Sequence, residues 1–369
     1  MSSNARACCR AIPFLLLFFT VLFSTGNLHA EFRWNLPPWM PQPVVPADNP
    51  MSEAKADLGR RLFYDKKLSV NGKMACATCH RQARAFTDGR VTARGTTGEN
   101  HVRNTPSLGN VAYLSVLTWA QPKLSRLEKQ LLAPLLGTEP VEMGMAGREQ
   151  DIVEHLKSDP VYRLMFHAAF GDSKAISLEN MAKALASFQR SLITANSAYD
   201  RSDLTLAAKR GGELFFSERL NCFHCHPAPF FTDSVAHTGL GFKEIAFHNT
   251  GLYNLDGKGA YPAGNTGLHM HTGRLEDMGR FRTPSLRNVA VTAPYMHDGS
   301  MQSLAEVIDF YAAGGRGPGR TNPQKSFFVA GFKLTSIEKS DLIAFLTSLT
   351  DEAFLVNPRF SDPFANPSK

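Results

Sequence analysis

Two short segments, Cys76-Ala77-Thr78-Cys79-His80 and Cys222-Phe223-His224-Cys225-His226, constrain this chain more tightly than any other part of it. Each has the form Cys-x-x-Cys-His, the attachment pattern of c-type haem. The chemistry requires that order. Two thiols, Cys76 and Cys79 or Cys222 and Cys225, add across the porphyrin vinyl groups, and the adjacent imidazole, His80 or His226, meets the iron as its proximal ligand. A lone Cys-x-x-Cys also fits a zinc or dithiol site. Two such sites would leave His80 and His226 without a reason to stand where they do, so the reading is two covalently bound haem c groups.

The remaining cysteines, Cys8 and Cys9, lie in a segment that is removed. The longest apolar run, Ala11 to Phe23, follows Arg6 and Arg10 and precedes the small residues Ser24 to Ala30. It is shorter than the ~18–20 residues of a membrane span, and it reads as a secretory signal peptide, residues 1–30, cut after Ala30. The mature chain is then exported to the periplasm, has no transmembrane segment and uses every cysteine in a haem motif. Losing Arg6 and Arg10 lowers the net charge from +7 to +5. The charges are interspersed and no nucleic-acid motif accompanies them, which excludes nucleic acid as a partner and leaves a mildly basic surface suited to an acidic protein face. With 43% hydrophobic and 20% charged residues the chain is globular, and at ~150 residues per domain it has room for two domains.

Those domains are duplicates. Gly59-Arg60-Arg61-Leu62-Phe63-Tyr64 precedes the first motif as Gly211-Gly212-Glu213-Leu214-Phe215-Phe216 precedes the second. Phe86-Thr87-Asp88 answers Phe231-Thr232-Asp233, and Thr105-Pro106-Ser107-Leu108-Gly109-Asn110-Val111-Ala112 matches the segment Thr283 to Ala290 at seven of eight positions. Strand signals are weak. Helix signals are clearer: Ser177 to Ala195 with Ser177 as N-cap, and a last helix opened by the capping box Thr335-x-x-Glu338. The expected fold is mainly α, with two cytochrome c-like domains, each carrying one haem. The segments are a Pro-rich arm (31–51), an N-terminal domain (52–203), a C-terminal domain (204–350) and a tail (351–369). The arm and the tail are expected to be extended and superficial, and the glycine-rich stretch 234–280 to be mostly loop.

The duplication lets one haem site interpret the other. A helix follows each Thr-Pro-Ser-Leu segment, and setting Leu127 against Leu304 places Pro134 opposite Tyr311. Proline has no donor atom, so the first iron keeps an open position that can bind an oxidant. The phenol of Tyr311 can ligate the second iron, which then transfers electrons. Met296 and Met301 are rival ligands for it.

With these motifs the chain resembles the bacterial di-haem cytochrome c peroxidase/MauG family over nearly all of the mature sequence. Further shared motifs are Arg103-Asn104-Thr105-Pro106-Ser107, Gln130, Pro140-Val141-Glu142-Met143 and Thr292-Ala293-Pro294-Tyr295-Met296-His297-Asp298-Gly299. Tyr311 places it with the MauG-like branch, where peroxidases have Met. The resemblance implies that the N-terminal haem reacts with hydrogen peroxide and that the C-terminal haem is six-coordinate. It implies that Glu142 is the distal carboxylate, with Gln130 beside it, and that Trp119 lies between the haems. It also implies calcium held by Asn104 and the carbonyls of Thr292 and Pro294. Around Thr96 or Thr97 the chain lacks the loop histidine with which many peroxidases close the first iron; His101 is near enough to keep that point open.

Three functions follow. The first is MauG-like oxidation of Trp- or Tyr-type residues of a secreted partner protein through a bis-Fe(IV) state; a methanobactin-associated copper-binding protein is one candidate partner. The second is a peroxidase that detoxifies peroxide with electrons from a small cytochrome. The third is a non-catalytic di-haem electron carrier. A distal carboxylate can move the proton that peroxide must lose before its O–O bond breaks, whereas without the resemblance Glu142 reads as an ordinary surface acid at a turn. His297 is expected to hydrogen-bond within its turn, and His237, His248, His269 and His271 could together hold a metal.

Overall fold

The computed structural model describes residues 32–171, 176–243 and 245–365, so the signal peptide lies outside the described residues. In the N-terminal half the helices are α1 (Glu53–Tyr64), α2 (Cys76–Cys79), α3 (Leu127–Gln130), α4 (Leu132–Leu136), α5 (Glu149–Ser158), α6 (Pro160–Phe170) and α7 (Leu178–Arg190). In the C-terminal half they are α8 (Leu206–Phe215), α9 (Cys222–Cys225), α10 (His269–Thr272), α11 (Leu304–Ala312) and α12 (Ser336–Thr347), and α13 (Glu352–Val356) follows in the tail. The two-residue strands β1 (Phe247–His248) and β2 (Phe281–Arg282) pair antiparallel. The fold is mainly α, with two cytochrome c-like domains.

Side-chain caps open the longer helices. Ser52, Ser177 and Thr205 accept backbone N–H groups at the starts of α1, α7 and α8. Thr335 and Glu338 close a reciprocal capping box on α12, which satisfies donors the helix cannot satisfy itself. Helix α7 starts at its expected cap but ends at Arg190 rather than Ala195. The five residues after it are needed elsewhere: Thr194 exchanges hydrogen bonds with the side chain of Asn110, and Ala195 N–H donates to Asp351.

The duplication is visible in the packing. Helix α1 crosses α7 at Gly59, where a Cβ would collide with the Ala184 carbonyl and Phe188. Helix α8 crosses α12 at Gly211, where a Cβ would collide with the Asp341 carbonyl and Phe345. Ser107 Oγ donates to the Ala85 carbonyl at 2.6 Å, and its counterpart Ser285 donates to that of Phe230 at 2.7 Å. One core packs around Leu58, Phe63, Phe86, Tyr162 and Phe188, the other around Phe215, Phe231 and Phe345.

The tail departs from expectation. It folds into α13 and a 3₁₀ turn, and Phe354, Leu355 and Phe360 are buried in the N-terminal core. Its backbone is held by Gln82, which donates to the Phe354 and Asn357 carbonyls, and by Tyr64, which donates to that of Phe360. An extended superficial tail would leave those aromatic side chains in water. The arm is extended, with Tyr113 O–H donating to the Pro41 carbonyl and a bridge from Pro43 to His237, but it is not superficial throughout: Met40 and Asn49 are buried, and Asn49 donates to Glu128 and the Lys183 carbonyl.

Candidate haem sites and the cleft between them

Cys76 and Cys79 lie on α2, and Cys222 and Cys225 on α9, none of them in a disulfide. His80 and His226 follow directly. The Nδ1–H of His80 donates to the Phe86 carbonyl at 2.7 Å, and that of His226 to Phe231 at 2.9 Å. Phe86 and Phe231 reach these positions with left-handed backbones, φ 63° and 53°. Each bond fixes the tautomer and leaves Nε2 as the metal-binding nitrogen. Burial pushes the Cys79 thiol up to about 11 and the other three to about 12. Paired cysteines on one short helix with an oriented imidazole directly after them fit covalent haem attachment.

The second motif opens into a cleft of about 1600 Å³ free of protein atoms, solvent at its mouth included. Cys222, Cys225, His226, Met296 and Tyr311 line one part; Trp119, Asn104, Thr292 and Pro294 line another, so the cleft joins the second haem motif to the other half of the molecule. Tyr311 enters from α11. No described residue hydrogen-bonds its hydroxyl, and burial, with smaller contributions from Cys225 and Cys222, pushes its ionisation upward. Met301 does not line the cleft but is buried in a cluster with Trp119, Tyr261 and Phe281, against which Tyr311 and Met296 also pack.

At the first site, Leu131 is helical, so α3 and α4 form a nearly continuous run that puts Gln130 and Pro134 on one face. The Pro134 carbonyl accepts the N–H of Met143 at 2.9 Å, which seats Glu142 beside that helix. The Glu142 charge also reaches Cys76 and Cys79, behind the larger effect of their burial. The Glu142 side chain is 41% exposed, and the partial burial of its carboxyl pushes it up to about 7. No hydrogen bond joins Gln130 to Glu142 among the described residues.

Trp119 is 8% exposed and touches both halves. Its Nε1–H donates to the Asn104 carbonyl at 2.8 Å, its own carbonyl accepts from Arg282, and the Arg282 guanidinium lies 6.0 Å from its ring centre. Asn104 Nδ2 donates to the carbonyls of Arg90 and Val91, its Oδ1 accepts no hydrogen bond among the described residues, and Asn104, Thr292 and Pro294 all line the cleft. Oxygen donors of this kind are of the hard type that would suit calcium.

Other expectations are corrected. The His297 imidazole makes no hydrogen bond among the described residues: it stacks on Phe281 at 3.6 Å with Nε2 buried and unpartnered, while its main-chain carbonyl accepts from Asn104. The four loop histidines do not converge. His269 bonds to the Arg274 carbonyl, His271 to Gln121, and His237 lies beside the arm. Only His248 joins a ligand-like group, with Asp233 at 2.5 Å and Cys225, which the haem motif already claims. Arg282 was not legible as a site residue, although it occupies the position before Thr-Pro-Ser-Leu that Asn104 holds in the first repeat. Burial lowers its guanidinium to about 10, with Asp233 opposing the shift.

Fold and sites together define a di-haem cytochrome of the c type, built by duplication. The chain belongs to the di-haem cytochrome c peroxidase/MauG family. The model of the di-haem cytochrome c peroxidases matches residues 53–206. Methylamine utilization protein MauG of Methylophilus methylotrophus is 34% identical over 340 residues, covering 90% of this chain and 92% of the relative. Cytochrome-c peroxidase IdrP1 of Pseudomonas sp. (strain SCT) is 35% identical over 362 residues, 92% of each. Among solved structures, a MauG-like protein associated with microbial copper homeostasis superposes with a TM-score of 0.89 at 48% identity, covering 90% of this chain and all of that one. The protein is thus a haem-dependent oxidoreductase of the peroxide-using kind. No helix among the described residues is long and apolar enough to cross a membrane.

Proposed function

We propose that this protein, exported to the periplasm, uses hydrogen peroxide to oxidise Trp- or Tyr-type residues of a secreted partner protein. The observation that carries this reading is Tyr311, a phenol with no hydrogen-bonding partner among the described residues, on the wall of the second haem's cleft. A phenolate is a hard anionic ligand and supports a higher oxidation state of iron than a thioether does. When bound, the haems would supply peroxide reduction and electron transfer; His80 would hold the first, and His226 with Tyr311 the second. Peroxide takes up two electrons and two protons to give two waters. Glu142, in its ionised form, accepts the proton leaving one peroxide oxygen and returns it to the other. Trp119 spans the route between the halves, and calcium held by Asn104, Thr292 and Pro294 stiffens the same junction. The likeness to a MauG-like protein associated with copper homeostasis supports a copper-binding partner.

Met296 on the same cleft wall favours a second reading, a detoxifying peroxidase served by a small cytochrome. Adding one equivalent of peroxide to the ferric protein without reductant separates the two. Partner oxidation expects two oxidising equivalents to be retained on the protein, counted by titration with ferrocyanide. Prompt loss of both, with rapid turnover of ferrocytochrome c, establishes the peroxidase instead.

A further inference from the structure

Two titratable side chains meet beside the first haem motif without hydrogen-bonding partners. His101 Nδ1 stands 4.0 Å from Glu142 Oε1; the His101 side chain is 11% exposed, and its Nε2 is buried with nothing to bond to. Burying an unpaired polar group is costly, and the largely buried His101 ring has only the half-exposed Glu142 carboxyl within reach of its Nδ1. Their spacing is set by the backbone. His101 N–H donates to the Ala93 carbonyl at 2.7 Å, and Thr96 N–H donates to the Glu142 carbonyl at 2.9 Å. At Gly95 the loop passes so close to Val141 that a Cβ would collide with its carbonyl.

We propose that His101 is the positioning residue for Glu142, holding its carboxyl group at the first haem site by donating a hydrogen bond from Nδ1. The inference rests on the reading of Glu142 as the proton-handling group. Closing the gap by about 1 Å, within side-chain freedom, makes a hydrogen bond, and such contacts are often long in structures without substrate. Burial holds the imidazole below its usual range, with the Asp88 charge opposing the shift. The His101 ring is therefore neutral near pH 7, where a neutral Nδ1–H donor suits an ionised carboxylate.

The test uses the ferric holoprotein and two readouts, the rate of reaction with peroxide and the rate of cyanide binding. Hydrogen cyanide must also lose a proton before binding as the anion, but nothing is turned over. His101→Leu should slow both by roughly tenfold or more. His101→Asn, whose amide N–H lies near the place of Nδ1, should recover most of the loss, and Glu142→Gln should slow both. If His101→Leu matches the wild type while Glu142→Gln is slow, the proposal fails and the reading of Glu142 stands. If Glu142→Gln is also normal, that reading fails with it. Equal slowing by Leu and Asn would mean a packing role and overturn the proposal. Conversion of the first haem from low to high spin in His101→Leu would make His101 an iron ligand and overturn it as well.

Discussion

The carboxyl of Glu142 should set the pH dependence of the peroxide reaction. Burial raises it from 4.5 to about 7, and the form that accepts a proton is the ionised one. Roughly a tenth is ionised at pH 6, half at pH 7 and about nine-tenths at pH 8. The second-order rate with peroxide should therefore climb about tenfold between pH 6 and pH 8 and then level off. A carboxyl at its ordinary value would already be ionised across that window and give a flat profile. Stopped-flow mixing at the haem absorption band, in buffers of constant ionic strength, measures this directly. Glu142→Gln keeps the shape and removes the base, so it should cost about 10²–10⁴-fold at pH 8 and erase the step. A flat profile in the wild type, or a step that survives in Glu142→Gln, would refute the assignment.

Three further outcomes are expected. Resting ferric EPR should show one high-spin and one low-spin iron, and Tyr311→Phe should change the low-spin signal while both haems stay attached; an unchanged signal would move the ligand to Met296 or Met301. Gly211→Ala should destabilise the protein by about 1–3 kcal/mol or more in denaturant melts, because the new methyl meets the Asp341 carbonyl where α8 crosses α12, whereas Gly212→Ala meets only the Phe345 ring, from 3.2 Å, and should cost less. Asp200→Asn leaves the Arg287 guanidinium buried without its ion-pair partner at 2.8 Å, a loss of about 3–5 kcal/mol by the same measurement.

What could be read from the sequence was what depends on near neighbours in the chain. Two thiols and an imidazole within five residues state their chemistry locally, and Thr335 with Glu338 states a helix start for the same reason. The repeat of Gly59 and Gly211 before each motif marked the two helix crossings, because only glycine allows backbones that close. Pairing Pro134 with Tyr311 also needed no coordinates, only the two halves laid side by side. The rest came from contacts between distant segments. Nothing near Phe354 and Phe360 says that they bury against the first domain; a short apolar stretch reads alike whether it finds a core or stays in water. His101 and Glu142 meet only because the loop at Gly95 lies against Val141, and Trp119 becomes a bridge only when Arg282 and Asn104 close on it from opposite halves. Such pairings are settled by the free energy of the whole packed chain, in which a residue's role depends on which far segment arrives beside it.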